Sequence, residues 1–394
     1  MQKMMAIWVT AATLLVLPAC SGGTPIATLP PTTESLTEVS DQTETSTTPE
    51  ENLIALAEGE RSATVTSGKL NFTFLFGVSN ARIVVGPTRG RVQVFGLPGI
   101  TEGKVYNQIR AINWVSGTGD ETIQFEVTQA ADFDIAVDAG TGNVEIQTQW
   151  IIPAGGAAQI TPSFSLKTGP GQKKLQMDLD SSAANVVFGL TTRFGAGEAL
   201  FKGDLAFKQG SVNARGNIDL QFSGANTDFA ELLIDNEATN LNLTIAPWFM
   251  KELVTKIVSD DPSSSTRTTF RPRTQSGGSK VLFEKVSAAS TVAVNYGITG
   301  GAGADEITLG LNTLVPAQVT SDVTMALGQG NDKLDLKYDG AATLALSGPI
   351  QLEGGDDEAK LNYNGVTSYQ LTLSCGAGID KAVGFFSSTG CELN

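Results

Sequence analysis

The chain has 394 residues, with 41 acidic side chains against 26 basic ones, no histidine and a formal net charge of −15. The negative surplus makes nucleic acid and acidic lipid poor partners. The missing histidine removes serine–histidine and cysteine–histidine catalysis and the commonest general base near neutral pH.

Met1-Gln-Lys3 gives a short positive start, Met4 to Leu17 is almost wholly apolar, and Leu17-Pro18-Ala19-Cys20 follows. The apolar run falls short of the ~20 residues of a spanning helix, and the order of parts is that of an export signal. It resembles a bacterial lipobox, which implies removal of residues 1–19 as a signal peptide, lipidation of Cys20 and attachment to a membrane. In lipoproteins of two-membrane bacteria, a serine after the cysteine, here Ser21, resembles a signal for passage to the outer membrane. The expected location is therefore the cell envelope.

Residues 20–52 carry Ser, Thr, Pro and the acids Glu34, Glu38, Asp41, Glu44, Glu50 and Glu51 without one basic residue. Such a stretch buries no core and reads as a disordered acidic tether. From residue 53 on, 43 glycines in the whole chain, scarce lysine and alternating runs such as Thr122-Ile-Gln-Phe-Glu-Val127 predict β structure.

An internal repeat organises this body: a strand runs into Gly-x-Gly, and an apolar residue follows the first glycine by six positions. The first group comprises Gly117/Ile123, Gly140/Ile146, Gly169/Leu175 and Gly195/Phe201. A second comprises Gly301/Ile307, Gly328/Leu334, Glu353/Ala359 and Gly376/Ala382. A unit of strand, glycine turn, strand and link cannot bury its apolar side alone. Stacking units ~4.8 Å apart pairs their backbones and makes a continuous inner column. The expected fold is all-β, a parallel β-helix or solenoid, in β-repeat regions 53–240 and 281–394. Two antiparallel β-sandwich domains are the alternative, because alternation and turn spacing fit both.

Between the two groups, Ala246 to Ser259 has helical spacing, with Trp248, Phe249, Leu253 and Ile257 able to share a face and Pro247 suited to a first turn. Ser263 to Lys280 then carries Arg267, Arg271, Arg273 and Lys280 without an acid. Residues 241–280 are thus expected to be a short helical insertion followed by a basic polar loop. The loop is either a linker or a patch for an anionic glycan or partner.

Gly300-Gly-Ala-Gly303-Ala-Asp305-Glu-Ile307 resembles the calcium-binding turn of secreted RTX proteins, with degenerate copies at Asp332, Asp357 and Asp380. The resemblance implies calcium at Asp305, Asp332, Asp357 and Asp380, through stacking of successive coils. Asp and Gly also suit any exposed turn, so solvated turn residues are the other reading. In the earlier copies Glu121, Val144, Lys173 and Ala199 occupy this position.

Cys375 and Cys391 form an even pair in an exported chain and are expected to close a disulfide across a loop of 391−375−1=15 residues. Free thiols or a metal site are the alternative, with no histidine to complete a zinc set. Asp132 with Asp134, and Asp178 with Asp180, lie two apart on expected strands at a separation suited to glycoside cleavage, or to any solvated strand face. No glycine loop leads to a lysine in a phosphate-binding pattern, so nucleotide is not an expected ligand.

Together these features predict a lipid-anchored envelope protein with a structural, adhesive or ligand-binding role and no catalytic residues, partnered by the membrane and by a glycan or envelope protein. The alternatives are a polysaccharide-active hydrolase or lyase on the same scaffold, and an accessory lipoprotein of an envelope assembly complex.

Overall fold

The computed structural model describes residues 54–55, 61–76, 78, 80–97, 103–129, 131–155, 159–208, 211–225, 227–364 and 366–392. The expected signal peptide, Cys20 and the tether lie outside the described residues. Glu51–Asn394 is one compact unit.

The unit is all-β, and its strands stack as parallel coils into a solenoid with two long sheets. The first sheet runs through Lys69–Phe76, Ala111–Thr118, Asp134–Ala139, Ser163–Thr168, Asn185–Arg193, Asn213–Gln221, Asn240–Met250, Ser265–Phe270 and Thr291–Thr299, each parallel to the next. The second runs through Ala81–Val85, Glu121–Thr128, Val144–Ile152, Lys173–Ser181, Ala199–Phe207, Phe229–Asn236, Glu252–Ser259 and Lys280–Ser287. Farther along, Glu306–Ala326 and Lys333–Gln351 each bend from the second sheet into the first.

The repeat read from the sequence is the register of this stack. Ile123, Ile146, Leu175, Phe201, Ala230, Leu253, Val281, Ile307, Leu334, Ala359 and Ala382 pair in succession down one inner column. Strict alternation, as in Val144–Ile152 with every second residue buried, sends one side chain in two inward. Each large aliphatic so buried stabilises the stack by about 1.5–3 kcal/mol. At the corner between the sheets, the second glycine takes positive φ in coil after coil, for example 138° at Gly142 and 136° at Gly355. A Cβ on Gly355 would lie 1.8 Å from the Gly330 carbonyl oxygen, so glycine stacks on glycine there.

The expected helix over 246–259 is not formed; among the described residues there is no helix. Asn240–Met250 and Glu252–Ser259 are two strands, one in each sheet, joined at a corner where Phe249 has φ 61°. Backbone partners on both sides, together with the β-branched Val254, Thr255, Ile257 and Val258, outweigh a helical spacing that only four apolar residues supplied. The expected basic loop is likewise ordered as Ser265–Phe270 and Arg273–Thr274, with Phe270 fully buried. The ladder therefore continues through 241–280, and the two repeat regions are parts of one solenoid.

At its N-terminal end, the hairpin Arg61–Thr66/Lys69–Phe76 and the antiparallel strands Val92–Phe95 and Lys104–Tyr106 take up the outer edges of the two sheets. Such pairing blunts parallel edges that would otherwise recruit another chain. At the other end Cys375 and Cys391 form the expected disulfide, with Cα atoms 5.2 Å apart.

Candidate functional site

The glycine corner positions the most ordered polar array. Asp305, Asp332, Asp357 and Asp380 stack, as the sequence spacing requires, but the reading of them as solvated turn residues is overturned: they are 1, 1, 2 and 0 % exposed. Before Asp332, Asp357 and Asp380 a positive-φ glycine two residues earlier, Gly330, Gly355 or Gly378, turns the following chain so that the aspartate points inward, where an ordinary exposed turn would have aimed it at water.

Each carboxylate bridges two coils. Asp332 Oδ1 accepts from the Asp305 amide at 2.8 Å, Asp357 Oδ1 from the Asp332 amide at 2.7 Å, and Asp380 Oδ1 from the Asp357 amide at 3.0 Å. Asp305 is the best satisfied, accepting from the Ser279 amide at 2.6 Å and the Thr274 hydroxyl at 2.8 Å. The other end is closed by Glu392, which accepts from the Asp380 amide at 2.8 Å. The Oδ2 atoms of Asp332, Asp357 and Asp380 are buried without a partner. Burial, reinforced by the neighbouring aspartates, pushes Asp332 up to about 7 and Asp357 up to about 6, and burial also raises Asp305.

Calcium takes six to eight oxygen ligands. A single file offering one uncommitted oxygen per coil is not such a cage, and among the described residues no group of three or more His, Cys, Asp or Glu side chains is placed to hold a metal ion. The residues fit a protonated or partly protonated carboxyl ladder better than a calcium site.

The same column extends into the earlier coils. Glu121, Val144, Lys173 and Ala199 pair in register, and Asp228 caps the Ala199 amide at 3.0 Å. Burial raises Glu121 to about 6, and the buried Lys173 ammonium donates to the carbonyls of Gly171 and Ala196. Elsewhere in the core, Lys285 is completely buried and donates to Thr268 Oγ1 at 3.0 Å, with desolvation lowering it to about 7.

The two carboxylate pairs are both outward. Asp132 Oδ1 accepts from the amide and hydroxyl of Thr161 at 2.7 and 2.8 Å, and Asp134 accepts from the Ser163 hydroxyl at 2.6 Å. They edge a cavity of about 630 Å³ that Arg89 and Arg110 also line. Asp178 lies directly beside Asp204 of the next coil, and burial followed by that like charge raises it. Asp180 is exposed two residues along the same strand.

The basic residues of 263–280 separate. Arg267, Arg271 and Arg273 are exposed on the first sheet, whereas Lys280 belongs to the second. Arg215 and Arg193 join the arginines there, and Arg273 stacks on Trp248 with its guanidinium carbon 4.2 Å from the ring centroid. Sequence reading missed Arg193, Arg215 and Trp248 as members of this face. The signal was present in the two-residue alternation of Asn213–Gln221 and Asn240–Trp248. Comparison with models of known protein families, with curated protein sequences and with solved structures found no match.

Proposed function

We propose that this chain is a non-catalytic solenoid held at a bacterial envelope by lipid on Cys20, which displays its long sheet faces for ligand or partner binding at a distance from the membrane. The observation that carries the reading is the unbroken parallel ladder, blunted by hairpins at one end and held by Cys375–Cys391 at the other. Rigid, repetitive surface is what such a ladder provides. The lipobox residues and the acidic tether supply the attachment. The carboxylates that most resemble a glycosidase pair, Asp132 and Asp134, are engaged by Thr161 and Ser163 of the next coil, which favours a structural role for them.

Metabolic labelling with a clickable fatty acid, followed by membrane fractionation, tests the attachment. Wild type should carry label and sediment with membranes, and Cys20→Ala should do neither. Release of new reducing ends or unsaturated products from a glycan panel, abolished by Asp132→Asn/Asp134→Asn, would sink the non-catalytic part.

A further inference from the structure

The outward residues of the first sheet form regular rows across Asn185–Arg193, Asn213–Gln221, Asn240–Met250, Ser265–Phe270 and Thr291–Thr299. One row is Val187, Arg215, Asn242, Arg267 and Ala293. Another is Arg193, Gln221, Trp248, Arg273 and Thr299. Between them runs a floor of Gly189, Asn217, Thr244, Thr269 and Asn295. Arg271 follows Phe270, its amide bonded to the Ile245 carbonyl, which places it beside Ala246 on the Trp248 side of that floor. The outcome is a flat trough of hydroxyls and amides with guanidinium groups along both margins. Along the Arg215 margin it deepens into a groove of about 280 Å³ lined by Asn213, Arg215, Asn240, Asn242, Ser265 and Arg267.

Charge is distributed unevenly around these coils. Asp219 is the one acid among the outward residues of the five strands, and among the described residues Arg193, Arg215, Arg267 and Arg271 make no ion pair. On the opposite sheet, Lys174 is paired with Glu145 at 2.7 Å and Lys202 with Glu231 at 3.3 Å. A chain with net charge −15 thus keeps a set of unneutralised guanidinium groups on one face. Unpaired arginines are available for bidentate bonds to carboxylate or sulfate.

We infer that this face binds an acidic polysaccharide, a linear chain of sugars bearing carboxylate or sulfate groups, lying along the solenoid axis in the trough. The inference rests on the reading of the body as a binding solenoid and names its ligand class. Arg215 and Arg267 are two coils apart, roughly 10 Å at ~4.8 Å per coil. A pyranose residue of an extended chain advances about as far as one coil, so acids on alternate sugars would meet Arg215 and Arg267 with a neutral sugar over Asn242 between them. Asn217, Thr244 and Thr269 offer donors and acceptors to ring hydroxyls. Trp248, and the 45 % exposed Phe249 beside it, give apolar surface for a sugar's C–H face. Nucleic acid fits less well, because it carries a phosphate at every nucleotide, a denser run of charge than arginines on alternate coils neutralise.

The test uses the mature chain, residues 20–394 with Cys20→Ser, titrated with polygalacturonate, chondroitin sulfate, neutral dextran and oligothymidylate at low and high salt. Trp248 reports binding by fluorescence, since Trp114 and Trp150 are 0 and 1 % exposed. At least one of the two acidic polysaccharides should bind saturably and weaken with salt. Dextran and oligothymidylate should not bind. Arg215→Ser/Arg267→Ser should weaken binding by about tenfold or more with unchanged melting, as loss of two charge-assisted donors requires. Lys174→Ser/Lys202→Ser on the opposite face should bind as wild type. The inference is overturned if neither polyanion binds, if dextran binds equally well, if oligothymidylate is the ligand taken, or if the lysine variant loses as much as the arginine one. None of those results touches the fatty-acid labelling at Cys20, so the anchored solenoid stands or falls separately.

Discussion

Replacing Asp332 by Asn should stabilise the solenoid at alkaline pH and leave it nearly unchanged in mild acid. Burial and the flanking aspartates raise Asp332 from 3.8 to about 7. A carboxyl whose pKa is higher folded than unfolded favours folding fully below the unfolded value, and that advantage disappears as pH climbs to the folded value. Between pH 4 and 7 wild type should therefore lose stability that the asparagine variant keeps. Three units at about 1.36 kcal/mol each set a ceiling near 4 kcal/mol. The ladder titrates as a coupled set, so protonating Asp357 relieves Asp332, and about 2 kcal/mol is the expected difference. Asparagine retains the Oδ1 acceptor for the Asp305 amide and carries no charge. Thermal melts of both proteins at pH 4 and pH 8, in EDTA, should show the variant about 2–4 °C higher at pH 8 and close to wild type at pH 4. A variant that melts below wild type at pH 8, or a wild-type pH slope that the substitution leaves undiminished, would refute the neutral-ladder reasoning. A melting rise specific to millimolar calcium, absent with magnesium, would do the same by showing that a cation holds the ladder ionised.

Lys285→Met should also stabilise, with the opposite pH signature: desolvation depresses Lys285 to about 7, so wild type gains stability as pH rises from 7 towards 10, and the variant, melting higher at pH 7, should lose that rise. Gly355→Ala should cost well over 2 kcal/mol or prevent folding, because its Cβ meets the Gly330 oxygen at 1.8 Å; Gly189→Ala, whose nearest neighbour is Ser163 Cβ at 3.6 Å, should be close to neutral in urea melts. Cys391→Ser should lower stability by up to about 3 kcal/mol, and hydrogen exchange should show the final coil, from Val366 onward, opening before the coils beneath it.

Much of this architecture was legible because the glycine corner keeps one length in most of the coils. Four residues separate the first glycine from the ladder position each time, so Glu121, Val144, Lys173, Ala199, Asp305, Asp332, Asp357 and Asp380 could be aligned by eye. The coils between Gly195 and Gly301 were hidden because their corners are disguised as Gly224-Ala225, Phe249-Met250 and Gly277-Gly278. The interval still betrays them, since 301−195=106 residues is four repeats of 26 to 27. The helix expected at 246–259 came from treating that stretch alone, whereas its conformation is decided by partners tens of residues away. The direction of the aspartates was not legible either: composition says turn, and only the folded corner, with its positive-φ glycine before Asp332, Asp357 and Asp380, says inward. The arginine face was hidden for a related reason. Its members, from Arg193 to Arg273, are distant in sequence, and neighbourhood on a solenoid is measured in whole repeats.

The unequal corners of the coil bear on how such a gene can change. The glycine corner is the more constant one: Arg193 to Leu200 and Arg273 to Lys280 each span seven steps, and the corners at Gln221 to Phe229 and Trp248 to Glu252, of eight and four, are the ones that depart. The opposite corner takes the variation: Ile152 to Ser163 spans eleven steps, whereas Ser181 to Asn185 spans four. Small insertions can accumulate at that corner without disturbing register, and a strand itself can be added or lost only with a complete coil. Duplication or loss of a coil would lengthen or shorten the sheet faces by a fixed step. Descendants of this chain are therefore expected to differ in whole coils and in the loops of one corner, while the glycine side remains a common ruler.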